Sequence, residues 1–311
     1  MHLPCTRRDF LKTTGAFAGA ALLPPLFGNR LRADTGKKPS SPVSIARCRS
    51  YDVEALVRQL NHMMDQLGGI QKLVSGKTVA VKVNLTGDVH QGFHGLPAGR
   101  TYHVHPDMVL ATAIVLDKAG AKRIRFLEGT YQLGSFEKYV HDAGWNLKAL
   151  SRLNAKVEYE DTRNLGQGKR YHEVKVPWGG SLLSAYMLNH SYVDCDAYVS
   201  LAKLKNHVTA GVTLSMKNNF GITPTALYSQ SKHDENSRSA RVHVLHEGAE
   251  RPATGVSVEV HPKAPRTPPW RVPHEVVDAV GIRPIDLALI DGIETVSGGE
   301  GPWVSLHLQK P

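Results

Sequence analysis

Short apolar runs alternate with helix-spaced segments along most of this chain, and that alternation constrains its fold more than any other feature. Val43–Arg47, Thr78–Leu85, Arg123–Leu127, Lys156–Tyr159, Ala197–Leu201 and Ile285–Ile290 read as strands. Between the first two, Asp52–Leu67 carries Val53, Leu56, Val57, Leu60, Met63, Met64 and Leu67 at helical spacing. Asp52 is placed to cap this helix and Gly68-Gly69 to stop it. Pro106–Ala119 reads as a second helix, with Pro in its first turn and Gly120 just past its end. Phe136–Ala143 reads as a third. Strand, helix, strand, repeated, predicts an α/β fold with a largely parallel sheet flanked by helices. The stretch Ser229–Val272 is long, polar and holds five Pro, so it is expected to be a flexible insertion or lid.

The N-terminus stands apart from this pattern. Thr6-Arg7-Arg8-Asp9-Phe10-Leu11-Lys12 precedes a mildly apolar run from Thr13 to Phe27. The segment resembles a twin-arginine export signal, with Arg7 and Arg8 as its motif. The apolar run is too short, and too rich in Gly, Ala and Pro, for a stable membrane span. The expected division is a signal over residues 1–33, a linker over 34–42 and a domain over 43–311. The resemblance implies the twin-arginine translocation machinery as a partner and a periplasmic or otherwise exported location. That pathway carries folded proteins, which favours a cofactor loaded beforehand and does not say which.

Three cysteines, Cys5, Cys48 and Cys195, form no Cys-x-x-Cys. A four-cysteine iron–sulfur cluster or zinc site within one chain is therefore excluded. Cys48 and Cys195 are either a disulfide or two free thiols. The net charge of +10 suits nucleic acid, acidic membranes or small anions alike. Aromatic residues are not interleaved with the lysines, which argues against nucleic acid. No Gly-x-Gly-x-x-Gly follows a strand, no phosphate loop ends in Gly-Lys-Ser/Thr, and no Gly-x-Ser-x-Gly elbow is present.

Ligands of α/β sheets gather where strand C-termini open into loops. Asn84 and a loop with His90, His94, His103 and His105 follow the Val79–Val83 strand. Glu128 follows the next, Lys203, Lys205 and His207 follow Tyr198–Leu201, and Asp291 follows Leu287–Ile290. Lys203 and Lys205 stand two apart on an extended segment and share a face, which His207 continues; Lys82 and Asn84 share a face of their own strand. Lys217 and Asn218 open a turn that ends at Gly221. Four lysines, two amides and a histidine in one crevice would form a site for a carboxylate or phosphate. Crowded like charges would lower a lysine pKa, as suits a general base or Schiff-base amine. Lys205, His207 and Lys217 are the catalytic candidates; Lys82, Asn84, Lys203, Asn218 and Glu128 are the binding candidates. A lysine such as Lys82 or Lys217 could instead pair with a buried carboxylate such as Glu128 or Asp291. The histidine loop could supply three imidazoles to Zn, Ni, Cu or Fe, but its carboxylates are scarce and a metal there is expected to bind weakly or not at all. His105 before Pro106 also suits a helix start.

Several blocks together carry a family resemblance: Val81-Lys82-Val83-Asn84-Leu85, His105-Pro106, Ala119-Gly120-Ala121, Asp196 through His207, Thr213 through Ile222, and Asp291-Gly292-Ile293 with Gly301-Pro302. They resemble the "domain of unknown function 362" family from about residue 43 to 302. The resemblance implies an architecture and a site but no reaction. Some relatives carry ferredoxin-like modules, for which this chain lacks the cysteines. The family also implies a further Gly- and Asp-containing strand–helix unit after Gly301-Pro302, so a terminal unit is expected to be missing at Pro311. The expected function is an exported enzyme acting on a small anionic ligand. The alternatives are a non-catalytic anion- or cofactor-binding protein and a metal enzyme using the histidine loop.

Overall fold

The computed structural model describes residues 41–310, apart from 131–134, 169, 230–233, 238–240, 303 and 305–306. Arg7 and Arg8, the signal and most of the expected linker lie outside the described residues. Five parallel strands form the central sheet: β1 Thr78–Lys82, β2 Arg123–Glu128, β3 Lys156–Asp161, β6 Ala197–Lys203 and β9 Leu287–Asp291, in the order β3-β2-β1-β6-β9. The chain builds outward from β1 through β2 to β3, then returns to the other side of β1 to lay down β6 and β9. The direction of building therefore reverses between β1 and β6, the place where such sheets bind ligands.

Helices α1 Val53–Gln66, α2 Pro106–Lys118 and α3 Phe136–Asp142 cover one face. Their apolar sides meet Val79, Val81, Ile124, Phe126, Val199 and Leu201 in the larger core cluster. The Asp52 carboxylate caps α1 by accepting from Ala55 N at 2.8 Å, as its position predicts. Ala80, Leu127 and Tyr198 point to the other face. There they pack on the hairpin β4 Tyr171–Lys175 with β5 Ala185–Asn189, and on helix α5 Pro268–Ile282. Burying about 25 cal/mol for each Å² of apolar surface makes these two layers the main favourable term in folding. Two small ribbons lie beyond the sheet's C-terminal edge: β7 Lys205–His207 with β8 Gly211–Thr213, and β10 Thr295–Ser297 with β11 His307–Gln309. Helix α4, Ser215–Asn218, follows the first ribbon.

Two expectations are corrected. Val43–Arg47 is no strand: it pairs with nothing described, and Val43 and Ile45 are exposed. Two alternating apolar residues, Val43 and Ile45, mark a strand only where a sheet edge offers hydrogen bonds, and none of the described strands pairs with them. The stretch 229–272 is packed where it is described. Val244, Leu245 and Val256 enter the second core cluster, Leu183 bridges Glu259, and α5 begins inside the stretch at Pro268. Its few apolar residues are spaced widely enough to look polar in sequence, and Val244, Leu245 and Val256 are turned inward while Val258 stays exposed. Cys48 and Cys195 are both free thiols.

Candidate functional site

The ends of β1 and β6 carry two buried ion pairs. Lys82 Nζ lies 2.7 Å from Glu128 Oε1, with both side chains almost fully buried. Lys82 also donates to Val83 O at 2.6 Å and Asn218 Oδ1 at 3.2 Å. Glu128 also accepts from Leu85 N and Gly129 N, both at 2.9 Å, so both its oxygens are engaged. Asn84 Nδ2 donates to the same Asn218 Oδ1 at 3.1 Å, and Asn218 Nδ2 donates to Ser200 Oγ at 3.1 Å and Lys82 O at 3.2 Å. Lys203 Nζ lies 3.0 Å from Asp291 Oδ2, neither side chain having any exposed surface. Tyr51 completes that group, donating to Asp291 Oδ1 at 2.8 Å while its ring stacks on His105 at 3.6 Å. Burial lowers the pKa of both lysines, and the facing carboxylates oppose the shift.

The four lysines therefore do not converge on one crevice. Lys82 pairs in register with Ser200, and Lys203 lies three residues beyond Ser200, so the two lysines point to opposite faces. The expectation of one shared crevice is corrected by this pairing, which local sequence does not contain. Lys203 and Lys205 do share a side: Lys203 donates to Gly99 O at 3.3 Å and Lys205 to Tyr102 O at 2.7 Å.

A second set of groups at the edge is not neutralised in this way. Lys205 is buried, and among the described residues its ammonium donates to the carbonyls of Tyr102 and Glu300, each at 2.7 Å. Burial pulls its pKa down to about 7, with Glu300 opposing and Lys203 and Lys217 adding to the fall. Lys217 is half-buried and holds its ammonium 4.1 Å from the centre of the Phe220 ring. Its pKa is lowered to about 8, chiefly by burial, with Glu275 opposing. The Arg241 guanidinium and the His246 ring lie against the same Phe220, at 5.3 and 4.5 Å between centres. His207 faces His246 at 6.0 Å, and its Nδ1 accepts from Thr209 N at 3.2 Å. Burial, with Lys217 second, drives its pKa down to about 2, so His207 is a neutral ring. Phe220 is thus a common floor under three basic groups carried by α4 and by the stretch 241–246.

The histidines of the 83–105 loop are scattered. His103 is buried with Nε2 2.8 Å from Thr86 O, and burial lowers its pKa to about 3. His105 caps α2, its Nδ1 accepting from Asp107 N at 3.1 Å. His90 stands 3.7 Å from Asp142, and His94 turns with φ 53 between the bridged Phe93 and Leu96. Among the described residues, no group of three His, Cys, Asp or Glu is assembled that could hold a metal. No helix among them is long and apolar enough to cross a membrane.

Sequence reading missed Tyr51, Phe220, Arg241, His246 and Glu275. For Glu275 a signal existed. Val272, Val276, Ala279 and Ile282 recur at helical spacing, masked by Pro268, Pro269 and Pro273.

Fold and site together define an α/β protein with buried lysines at the switch point of a parallel sheet. The chain belongs to the family described as Domain of unknown function (DUF362), whose profile matches residues 79–306. Residues 4–24 match the twin-arginine translocation pathway signal sequence, so the protein is exported by that route. The chain is 27% identical over 184 residues to the Thylakoid-associated protein sll1697 of Synechocystis sp., covering 58% of this chain and 50% of that one. A Thermotoga maritima crystal structure is similar at TM-score 0.40 and 12% identity, covering 83% of this chain and 55% of that one. The lactate racemase apoprotein from Thermoanaerobacterium thermosaccharolyticum is similar at TM-score 0.40 and 13% identity, covering 84% and 53%. The chain spans about half the length of each.

Proposed function

We propose that this exported protein is an enzyme, working in the periplasm, that takes a small carboxylate or phosphate ligand at Lys205, His207 and Lys217. The observation that carries the reading is the contrast among the lysines. Lys82 and Lys203 each face a carboxylate at ion-pair distance, whereas among the described residues Lys205 and Lys217 make no ion pair. Glu300 and Glu275 lie near enough to act on these amines, yet neither reaches them at ion-pair distance among the described residues, and a bound anion offsets the cost that remains. Lys82, Asn84, Asn218 and Glu128 then hold the sheet end in shape, and Lys203 does the same on the opposite face. An amine with a pKa of about 7 is matched to proton transfer at neutral pH, which gives Lys205 the part of general base. His207, a neutral ring, orients the ligand.

Thermal unfolding with added phosphate or acetate tests the anion seat. An anion at a hundredfold its Kd should stabilise the wild type by about 2.7 kcal/mol. The Lys205→Met variant, which keeps the bulk and removes the charge, should show a much smaller rise. Equal rises in both would refute the site. Incubation of the wild type with a panel of small acids, followed by NMR, separates an enzyme from a binding protein: only an enzyme alters one of them.

A further inference from the structure

Buried polar atoms without a hydrogen-bond partner are uncommon, and several around one point mark a place where something else supplies the bonds. Around the Lys217 segment such atoms occur on Asn84, Thr213, Ser215, Arg241, His246 and Glu275. Glu275 is the extreme case. It has no exposed surface, and among the described residues neither of its carboxyl oxygens has a hydrogen-bond partner. Asp278, three residues further along α5, shows how this helix treats a carboxylate that supports the fold. It accepts from Ser181 N and Leu182 N at 2.7 Å and from Leu183 N and Tyr186 OH at 3.2 Å. Glu275 instead faces the site: the charges acting on it most strongly are those of Lys217 and Arg241, and neither donates to it.

A plain anion carries acceptors alone: it can take at most the proton of a protonated Glu275 and leaves unpaired the carbonyl oxygen. That buried acceptor suits an O–H or N–H donor. We propose that Glu275 accepts a hydrogen bond from the ligand, so that the site takes small anions carrying a hydroxyl or amino group in preference to plain ones. This rests on the reading of Lys205 and Lys217 as the anion seat. Burial pushes the Glu275 carboxyl up to about 8, and in either protonation state a carbonyl oxygen is left to accept. Sites that bury a polar group for a ligand discriminate strongly, because the analogue lacking the partner leaves that group unpaired.

Calorimetric titration of the purified chain at neutral pH tests this with two matched series. One is acetate, glycolate and glycine; the other is methylphosphonate with its hydroxymethyl and aminomethyl counterparts. A donor-bearing member should bind the wild type at least tenfold more tightly than its plain parent. Glu275→Met should lose that preference while still binding the plain anion. It should also melt above the wild type, since a thioether replaces an unpartnered buried carboxyl. Glu275→Gln, which keeps an acceptor oxygen in the same place, should retain part of the preference. Three results would overturn the proposal alone: equal affinity along each series in the wild type, preference kept by Glu275→Met, or a Met variant that melts lower or does not fold. No binding of any anion by the wild type would overturn the site reading and this proposal together.

Discussion

Lys82 and Lys203 end neighbouring strands of one sheet and point away from each other across it, each into its own carboxylate. Glu128 serves the first and Asp291 the second, so each face closes its strand end with a buried ion pair. Among the described residues Lys205 and Lys217 make no such pair.

Removing one member of the first pair should be costly. Glu128→Gln leaves the buried Lys82 ammonium without its counter-charge, which typically costs roughly 3–5 kcal/mol. Urea unfolding of the variant measures the loss. A change below about 1 kcal/mol would mean that the pair is solvated in solution.

Gly221→Ala should weaken the same pair from outside. A Cβ at this position would stand 2.8 Å from both Cε and Nζ of Lys82 and 3.4 Å from Glu128 Oε1. The lysine tip is pinned by Glu128, Val83 and Asn218 and has no free rotamer to retreat to. The expected destabilisation is about 1–3 kcal/mol by equilibrium unfolding. A neutral substitution would show that the tip gives way.

The pH dependence of stability should carry the mark of Lys205. Its folded pKa of about 7 lies below the ordinary value of 10.5. Between these limits the unfolded chain binds the extra proton, so this lysine makes stability rise with pH. Its cost is fully present below pH 7 and fades towards 10.5. Lys205→Met should flatten the curve in that window. Chemical unfolding at pH 7 and pH 9.5 decides it, and an unchanged slope would contradict a buried, uncompensated amine.

Export should depend on both signal arginines. Replacing Arg7 and Arg8 together by Lys keeps the charge and removes the motif that matches the twin-arginine signal. Fractionation should then find the chain retained inside the cell, and undiminished export would contradict the assignment.

The sheet was largely legible because its inner strands β1 and β6 are buried on both faces and read as apolar runs, while β2 and β3 show the alternation of half-buried strands. Observed Thr78–Lys82, Arg123–Glu128 and Lys156–Asp161 depart from expectation only at their ends. Local rules also placed Lys82 with Asn84, which meet on one amide, and Lys203 with Lys205. The phase between the two strands was out of reach. It depends on the pairing of Lys82 with Ser200, two positions more than a hundred residues apart in the chain. The floor of the site was hidden for a related reason. Phe220, Arg241, His246 and Glu275 come from three separate elements, and each looks ordinary by itself.

The Asn218 amide deserves a mechanical reading. One side chain receives Lys82 and Asn84 and reaches back to Lys82 O and Ser200 Oγ, so it stitches the tips of the two innermost strands to α4. Lys217 is its immediate neighbour. A force applied at Lys217 is therefore passed through Asn218 to β1 and β6. The backbone amides from 215 to 219 should exchange with solvent only when the whole domain opens, which makes this short helix part of the sheet's own cooperative unit.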